Sequence, residues 1–180
     1  MTVTREQRLR RDGDQDPVLF YSSRAKWGEF SNFSDHAIVM LSPWTLRPTT
    51  YRRGEHRFQA LKATRQEDHD RIVQAGGPGE AKDIGRSIRL RDDWGNSYGD
   101  ACWWAMVDLV MAKATQHDCV REALRRTIGH VIYEDSPRDG IWGWYNGDPR
   151  TTQGSYDGKN LLGLAWMHAR CSFFQRAVTR

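Results

Sequence analysis

The chain has 180 residues and a formal net charge of +4; 38% of the residues are hydrophobic and 28% are charged. These values predict one soluble globular domain with a sizeable core. No apolar run is long enough to span a bilayer, and the N-terminus lacks the apolar segment of a signal peptide. We therefore expect a cytoplasmic protein rather than a membrane or secreted one.

The cysteines are few and scattered. Cys102, Cys119 and Cys171 form no CxxC pair, so we expect free thiols in a reducing compartment. No histidine or cysteine cluster has zinc spacing, and Glu55 and His56 are adjacent instead of forming an HExxH frame. The sequence therefore predicts no metal site.

The first third of the chain begins with a polar, net-neutral segment, residues 1–17, which we interpret as a flexible tail. Short apolar runs at residues 18–21 and 37–41 predict two strands. An ordered aromatic loop separates these strands, and a second loop between two prolines leads to a helix over residues 54–63 that continues weakly to about residue 66.

The rest of the chain is mostly helical in pattern. The pattern predicts helices over residues 68–74, 80–87, 101–114 and 119–128. It then predicts a short strand over residues 131–133, a polar loop to residue 160 and a last helix that begins there. Trp103 and Trp104 are both assigned to the core. We see no internal repeat and no linker, so we predict a mainly α single domain with a few short strands, a minor α+β component.

The helix over residues 54–63 carries an unusual polar stripe. Glu55, Gln59 and Lys62 stand at positions i, i+4 and i+7 and share one face. By default such a stripe is a solvated surface, but it is also compatible with the wall of a polar pocket. Periodicity alone leaves both interpretations open.

Four sequence blocks place this stripe in a wider pattern. They are Phe30-Ser31-Asn32-Phe33; Glu55-His56-x-Phe58-Gln59-Ala60-x-Lys62; Gly85-Arg86 with Leu90-Arg91-x-Asp93-Trp94; and Asp139-x-x-Trp142-Gly143 with Gly158-Lys159-Asn160-Leu161-Leu162-Gly163. In this order and spacing they resemble the NADAR family, the YbiA-like N-glycosidases, from about residue 20 to residue 174. The resemblance implies a largely helical YbiA-like fold over a domain of residues 18–180.

The resemblance also implies an activity. Family members hydrolyse N-glycosidic bonds without a metal or an organic cofactor. One branch acts on ribosylamino-pyrimidine phosphates, which are early riboflavin-pathway intermediates, and another removes ADP-ribose from modified guanine. The sequence departs from the family pattern in three places: residues 51–54, residues 113–114 and a long polar loop over residues 144–156. These places border the implied pocket and bear on the substrate more than on the reaction.

Residue by residue, the resemblance implies that Glu55 is the catalytic carboxylate. Other pocket positions implied by it are Lys62, Trp94, Asp139, Trp142 and Asn160, with Asn32, Phe33 and Arg86 at flanking motif positions.

These residue types suit the chemistry. Cleavage of a ribosyl C–N bond passes through a cationic sugar, which one carboxylate stabilises while a second acid protonates the departing base; Glu55 and Asp139 are the candidate pair. Trp94 and Trp142 offer rings for stacking. Arg86 and Lys62 are candidate phosphate ligands, and Asn160 is a candidate ligand for a ribose hydroxyl.

Each residue also has a structural interpretation. Lys62 fits a weak surface ion pair with Glu55, Trp94 fits core packing, and Arg86 fits a solvated helix. Asp139 fits a turn and Asn160 fits a helix N-cap. At the level of function, the alternative is a non-catalytic module that binds ADP-ribose or a nucleotide. The exact base, the role of Glu55 as nucleophile or base, and the oligomeric state stay open.

Overall fold

A computed structural model describes residues 2–14, 16–147 and 154–174. The predicted tail, the predicted long loop over residues 144–156 and the C-terminal end of the predicted domain therefore lie partly outside the described residues. The described helices are α1 (Arg5–Asp12), α2 (Gly54–Ala60), α3 (Gln66–Gln74), α4 (Pro78–Ser87), α5 (Ala101–Gln116), α6 (Asp118–Arg125) and α7 (Leu161–Phe174). A short 3-10 helix covers Gly28–Phe30.

The described strands form three two-stranded sheets. They are β1 (Val18–Phe20), β2 (Ile38–Leu41), β3 (Pro48–Tyr51), β4 (Ile132–Glu134), β5 (Asn146–Gly147) and β6 (Gly154–Ser155). β1 pairs with β4 in parallel, with Phe20 opposite Glu134, while β2–β3 and β5–β6 are antiparallel pairs.

The predicted fold class, mainly α with a few short strands, is wrong. The fold is α+β, with 45% helix and 12% strand. The missing strands are β3, β5 and β6, which lie in segments rich in proline, threonine and glycine that predict loops. Such segments become strands only when a partner strand completes their hydrogen bonds, as β2 does for β3 from Ile38 opposite Tyr51 to Leu41 opposite Pro48.

The central helix of the core is α5, which packs against α2, α6 and α7. Trp103 on this helix is buried, but Trp104 is 50% exposed, so its assignment to the core is wrong. Consecutive residues of an α-helix point about 100° apart, so both rings cannot face the same core. In the described residues no helix has the length and apolar character needed to cross a membrane.

Helix α1 lies within the segment that predicts a flexible tail. Thr4 and Gln7 form a reciprocal capping box, and Leu9 is buried against a small apolar cluster that contains Tyr133 and Trp144. The Arg8 guanidinium donates to two backbone carbonyls near residue 157. The sequence pattern does not reveal this helix, because most of its residues are charged and a single leucine makes its apolar contact.

Helix α2 positions the polar stripe. All seven of its residues are buried, including Glu55, Arg57 and Gln59. The helix packs between α3, α4 and α5. The stripe is therefore not a solvated surface, and the choice left open by the periodicity is resolved in favour of a pocket wall.

Candidate active site

A cavity of about 570 Å³ lies along α2, from Glu55 to Lys62 just after the helix. Its other walls come from α4, from the loop before β2 and from the segment that follows β4. Of the residues implied by the sequence, the cavity brings together Asn32, Phe33, Glu55, Lys62, Arg86, Asp139 and Trp142. Trp94 and Asn160 do not line it.

Glu55 lies in the first turn of α2 and is 5% exposed. Its backbone N–H donates to the Asn32 carbonyl at 3.0 Å, and its Oε1 accepts a hydrogen bond from Gln59 Nε2 at 2.6 Å. Burial raises the pKa of Glu55, while the Gln59 hydrogen bond and the charges of Lys82 and Lys62 oppose that rise. The carboxyl is thus desolvated but supported in its charged form.

Two lysines provide positive charge at the same cavity. Lys62 Nζ lies 5.1 Å from the centroid of the Phe58 ring, and Lys82 Nζ lies 5.9 Å from that of Phe33. Burial is the main cause that lowers the pKa of Lys62, and the charge of Glu55 opposes it. Among the described residues neither lysine forms an ion pair, so the interpretation of Lys62 as a surface partner of Glu55 does not apply.

Arg86 lies one turn beyond Lys82 on α4. It is exposed, and its contact with Asp83 is long at 3.8 Å. Exposed pairs of this kind contribute little to stability, so the guanidinium is free to bind an anion. Arg86 therefore lies at the solvent-exposed rim of the cavity.

Asp139 has a structural function in this geometry. Its Oδ1 accepts hydrogen bonds from the backbone N–H groups of Ile141 at 3.1 Å and Trp142 at 2.9 Å. The turn places the half-buried Trp142 ring edge-to-face against Phe58, with centroids 4.9 Å apart. Asp139 thus belongs both to the cavity wall and to the turn that its sequence context suggests.

The two residues outside the cavity contribute to packing and support. Trp94 is 6% exposed and packs on Phe58 with ring centroids 5.3 Å apart, so it lies behind the cavity wall. Asn160 Nδ2 donates to the Ile132 carbonyl at 2.8 Å, and its Oδ1 accepts from the Glu134 N–H at 3.0 Å. Asn160 thus holds β4 to the start of α7.

Sequence reasoning missed three charged cavity residues, Lys82, Glu134 and Arg138. Lys82 precedes Arg86 by four residues, so helical spacing was a usable signal for it. Glu134 ends β4, and in sequence it looks like the first residue of the following polar loop. Its Oε2 is buried and has no hydrogen-bond partner within the described part of the chain.

The electrostatic state of Glu134 differs from that of Glu55. Burial, followed by the nearby negative charges of Asp139 and Glu55, raises the pKa of Glu134 to about 8, and Lys82 opposes the rise. Two carboxyl groups in one cavity therefore have different environments: Glu55 accepts a hydrogen bond and Glu134 Oε2 does not. No cluster of histidine, cysteine and carboxylate side chains suited to a metal ion occurs in residues 2–14, 16–147 and 154–174.

The chain is similar to known proteins over most of its length. The model of the NADAR domain family matches residues 19–173. An N-glycosidase of Nostoc punctiforme is 32% identical over 131 residues, which covers 70% of this chain and 78% of that protein. The N-glycosidase YbiA of Escherichia coli is 28% identical over 170 residues, covering 92% of this chain and 94% of YbiA.

A plant protein and a solved structure are also similar to this chain. The chloroplastic riboflavin biosynthesis protein PYRR of Zea mays is 31% identical over 141 residues, covering 70% of this chain and 21% of that longer protein. The NMR structure of Escherichia coli YbiA superposes with a TM-score of 0.71 at 27% identity and covers 92% of this chain and 90% of YbiA.

Proposed function

The chain belongs to the NADAR family, and from this premise we propose that it is an N-glycosidase that hydrolyses the bond between a ribosyl group and a heterocyclic base. The observation that carries the proposal is the buried Glu55 carboxyl in a cavity of about 570 Å³, which also contains two lysines that form no ion pair with any described residue. The curated relatives over most of this chain are named N-glycosidases.

Glu55 suits the stabilisation of a ribosyl cation. As the C–N bond breaks, positive charge develops on the sugar, and a carboxylate in a water-poor cavity stabilises that charge strongly. The hydrogen bond from Gln59 holds Glu55 Oε1 in place without neutralising it. Glu55 therefore serves the reaction as a carboxylate.

The cations support a phosphate-bearing substrate. Lys62 and Lys82 are cavity residues without ion pairs among the described residues, and Arg86 lies at the rim. A guanidinium binds phosphate in a bidentate manner and an ammonium acts as a point charge. With Trp142 available to stack a base, these groups fit a ribosylamino-pyrimidine phosphate of the riboflavin-pathway type, or ADP-ribosylated guanine.

The test compares wild-type protein with Glu55→Gln on both substrate classes. Wild-type protein is expected to release free base together with a ribose phosphate or ADP-ribose. The Glu55→Gln substitution keeps an oxygen for Gln59 but removes the charge, so kcat should fall by about 10²-fold or more. Product release is measured by chromatography, and folding is checked by the melting temperature.

Glu122→Gln is the matched control, because Glu122 is an exposed carboxylate that pairs with Arg125 on α6. It should leave kcat unchanged. A Glu55→Gln variant with full activity would remove Glu55 from the reaction. Wild-type protein that binds ADP-ribosylated guanine for hours without releasing ADP-ribose would instead identify a non-catalytic binding module.

A further inference from the structure

Glu134 has a fixed backbone at the edge of the cavity. Its N–H donates to Asn160 Oδ1 at 3.0 Å, and its carbonyl accepts the Trp144 N–H at 3.0 Å. On the other side, β1 pairs with β4 so that Phe20 lies opposite Glu134. Three elements thus position a side chain that the cavity wall includes.

Glu134 as a whole is half-buried, and its carboxyl has one fully enclosed oxygen. Oε2 is shielded from solvent and lacks a hydrogen-bond partner in the described residues. A charged carboxylate in this setting is costly, whereas a protonated carboxyl carries an O–H that can be donated to a ligand. A carboxyl in the cavity wall with such an oxygen is therefore suited to give a proton to a ligand that enters the cavity.

The charged groups around Glu134 come from three elements. Asp139 in the following loop and Glu55 on α2 disfavour a second negative charge, and Lys82 on α4 favours it. Burial is the largest effect, and the pKa of Glu134 is raised to about 8. Burial also raises the pKa of Glu55, but there the Gln59 hydrogen bond and the charges of Lys82 and Lys62 oppose the rise, so the two carboxyl groups have different environments.

Asp139 is less suited to the acid function. Its Oδ1 already accepts two backbone hydrogen bonds that build the turn before Trp142. Protonation or movement of this carboxyl would disturb the turn and the position of the Trp142 ring. Glu134 Oε2, by contrast, accepts no hydrogen bond from the described residues.

We propose that Glu134 is the general acid of the N-glycosidic cleavage, an inference that rests on the proposed function. The bond from the anomeric carbon to the base nitrogen breaks, and its electron pair leaves with the base. The Glu134 O–H proton transfers to that base, so the base departs neutral. Water then bonds to the anomeric carbon, and the proton that water releases restores the Glu134 acid.

The kinetic test uses Glu134→Gln, which keeps size and polarity but removes the proton. A general acid typically contributes about 10²–10⁴-fold, so kcat at neutral pH should fall by that order. In wild-type protein kcat should decline as pH rises through about 8, because Glu134 loses its proton there. The Glu134→Gln variant should lose this alkaline decline, while Glu134→Asp should keep it.

A second measurement records the proton directly. Infrared difference spectra of wild-type protein against Glu134→Gln should show a protonated carboxyl band at neutral pH, and Glu122→Gln should leave that band unchanged. Absence of the band overturns the inference whether or not the protein is active. So does an unchanged kcat in Glu134→Gln, or an alkaline decline that Asp139→Asn abolishes and Glu134→Gln keeps. Wild-type protein that hydrolyses neither substrate overturns the proposed function itself, and the proton transfer with it.

Discussion

At the scale of single residues, the position of Glu55 depends on Gly85, which has no side chain. Gln59 donates to Glu55 from one turn further along α2, and its amide lies against Gly85 of α4. A Cβ at position 85 would overlap Gln59 Oε1. Gly85 therefore leaves the space in which Gln59 supports the charged carboxyl.

Gly85→Ala should displace Gln59 and weaken its hydrogen bond to Glu55. We expect the free energy of unfolding to fall by about 1–3 kcal/mol through overpacking. Loss of the donor removes a cause that lowers the pKa of Glu55, so the acidic decline of kcat should move to higher pH. The measurements are urea unfolding and a pH profile of kcat.

The matched control for this substitution is Gly79→Ala in the first turn of the same helix, where a Cβ meets nothing within 4 Å. It should change neither the pH profile nor kcat. An unshifted acidic limb in Gly85→Ala would show that Gln59 does not tune Glu55.

At the scale of elements, the join between β4 and α7 sets the position of Glu134. Asn160 has φ +55°, a left-handed conformation that asparagine tolerates better than most residues. Its amide then bonds both Ile132 and Glu134. Gly163 allows close approach of the helix to the strand, because a Cβ there would overlap the Ile132 carbonyl.

Asn160→Gly is expected to destabilise this join. Glycine accepts the left-handed backbone, so the variant isolates the loss of the side-chain hydrogen bonds, which should lower the free energy of unfolding by about 1–3 kcal/mol. Asn160→Ala adds backbone strain and should be less stable still. Chemical denaturation measures both variants. If Asn160→Gly raised KM and left the unfolding curve unchanged, the ribose-binding function predicted from the sequence would be the better account.

At the scale of the whole molecule, a buried lysine connects the central helix to the cavity wall. Lys113 on α5 is fully buried and donates to the Ser31 carbonyl at 2.9 Å and to Ser34 Oγ at 2.5 Å. These bonds hold the loop that presents Asn32 and Phe33 to the cavity. Burial lowers the pKa of Lys113 from 10.5 to about 7.

This shift makes global stability depend on pH. Between about 7 and 10.5 the unfolded chain holds a proton on Lys113 that the folded chain does not, so the free energy of unfolding should fall as pH falls through this range. Lys113→Met should abolish that slope, whereas the exposed Lys26→Met should keep it. Urea unfolding at several pH values is the measurement. Equal slopes in wild-type protein and Lys113→Met would contradict the burial of an uncharged lysine.

Among the structural elements, the helices were predicted most completely from the sequence. Residues 54–63 predict α2 with Glu55, Gln59 and Lys62 on one face, and the observed Glu55–Gln59 hydrogen bond joins two of them. The helical pattern also found α5 and α7, because period and capping depend on neighbours in the chain. The motif blocks indicated the NADAR family, which the family model confirms.

By itself, then, the amino-acid sequence determined the family and most helices, and it predicted a site carboxylate, Glu55, which lines the cavity. Only the tertiary structure decided that the α2 stripe is buried, that Trp94 lies behind Phe58, and that the strand-ending Glu134 faces the same cavity as Glu55. The reason is physical. Helical periodicity is a property of adjacent residues, whereas strand pairing, desolvation and the interaction of two carboxyl groups depend on segments that are distant in the chain and meet only after folding.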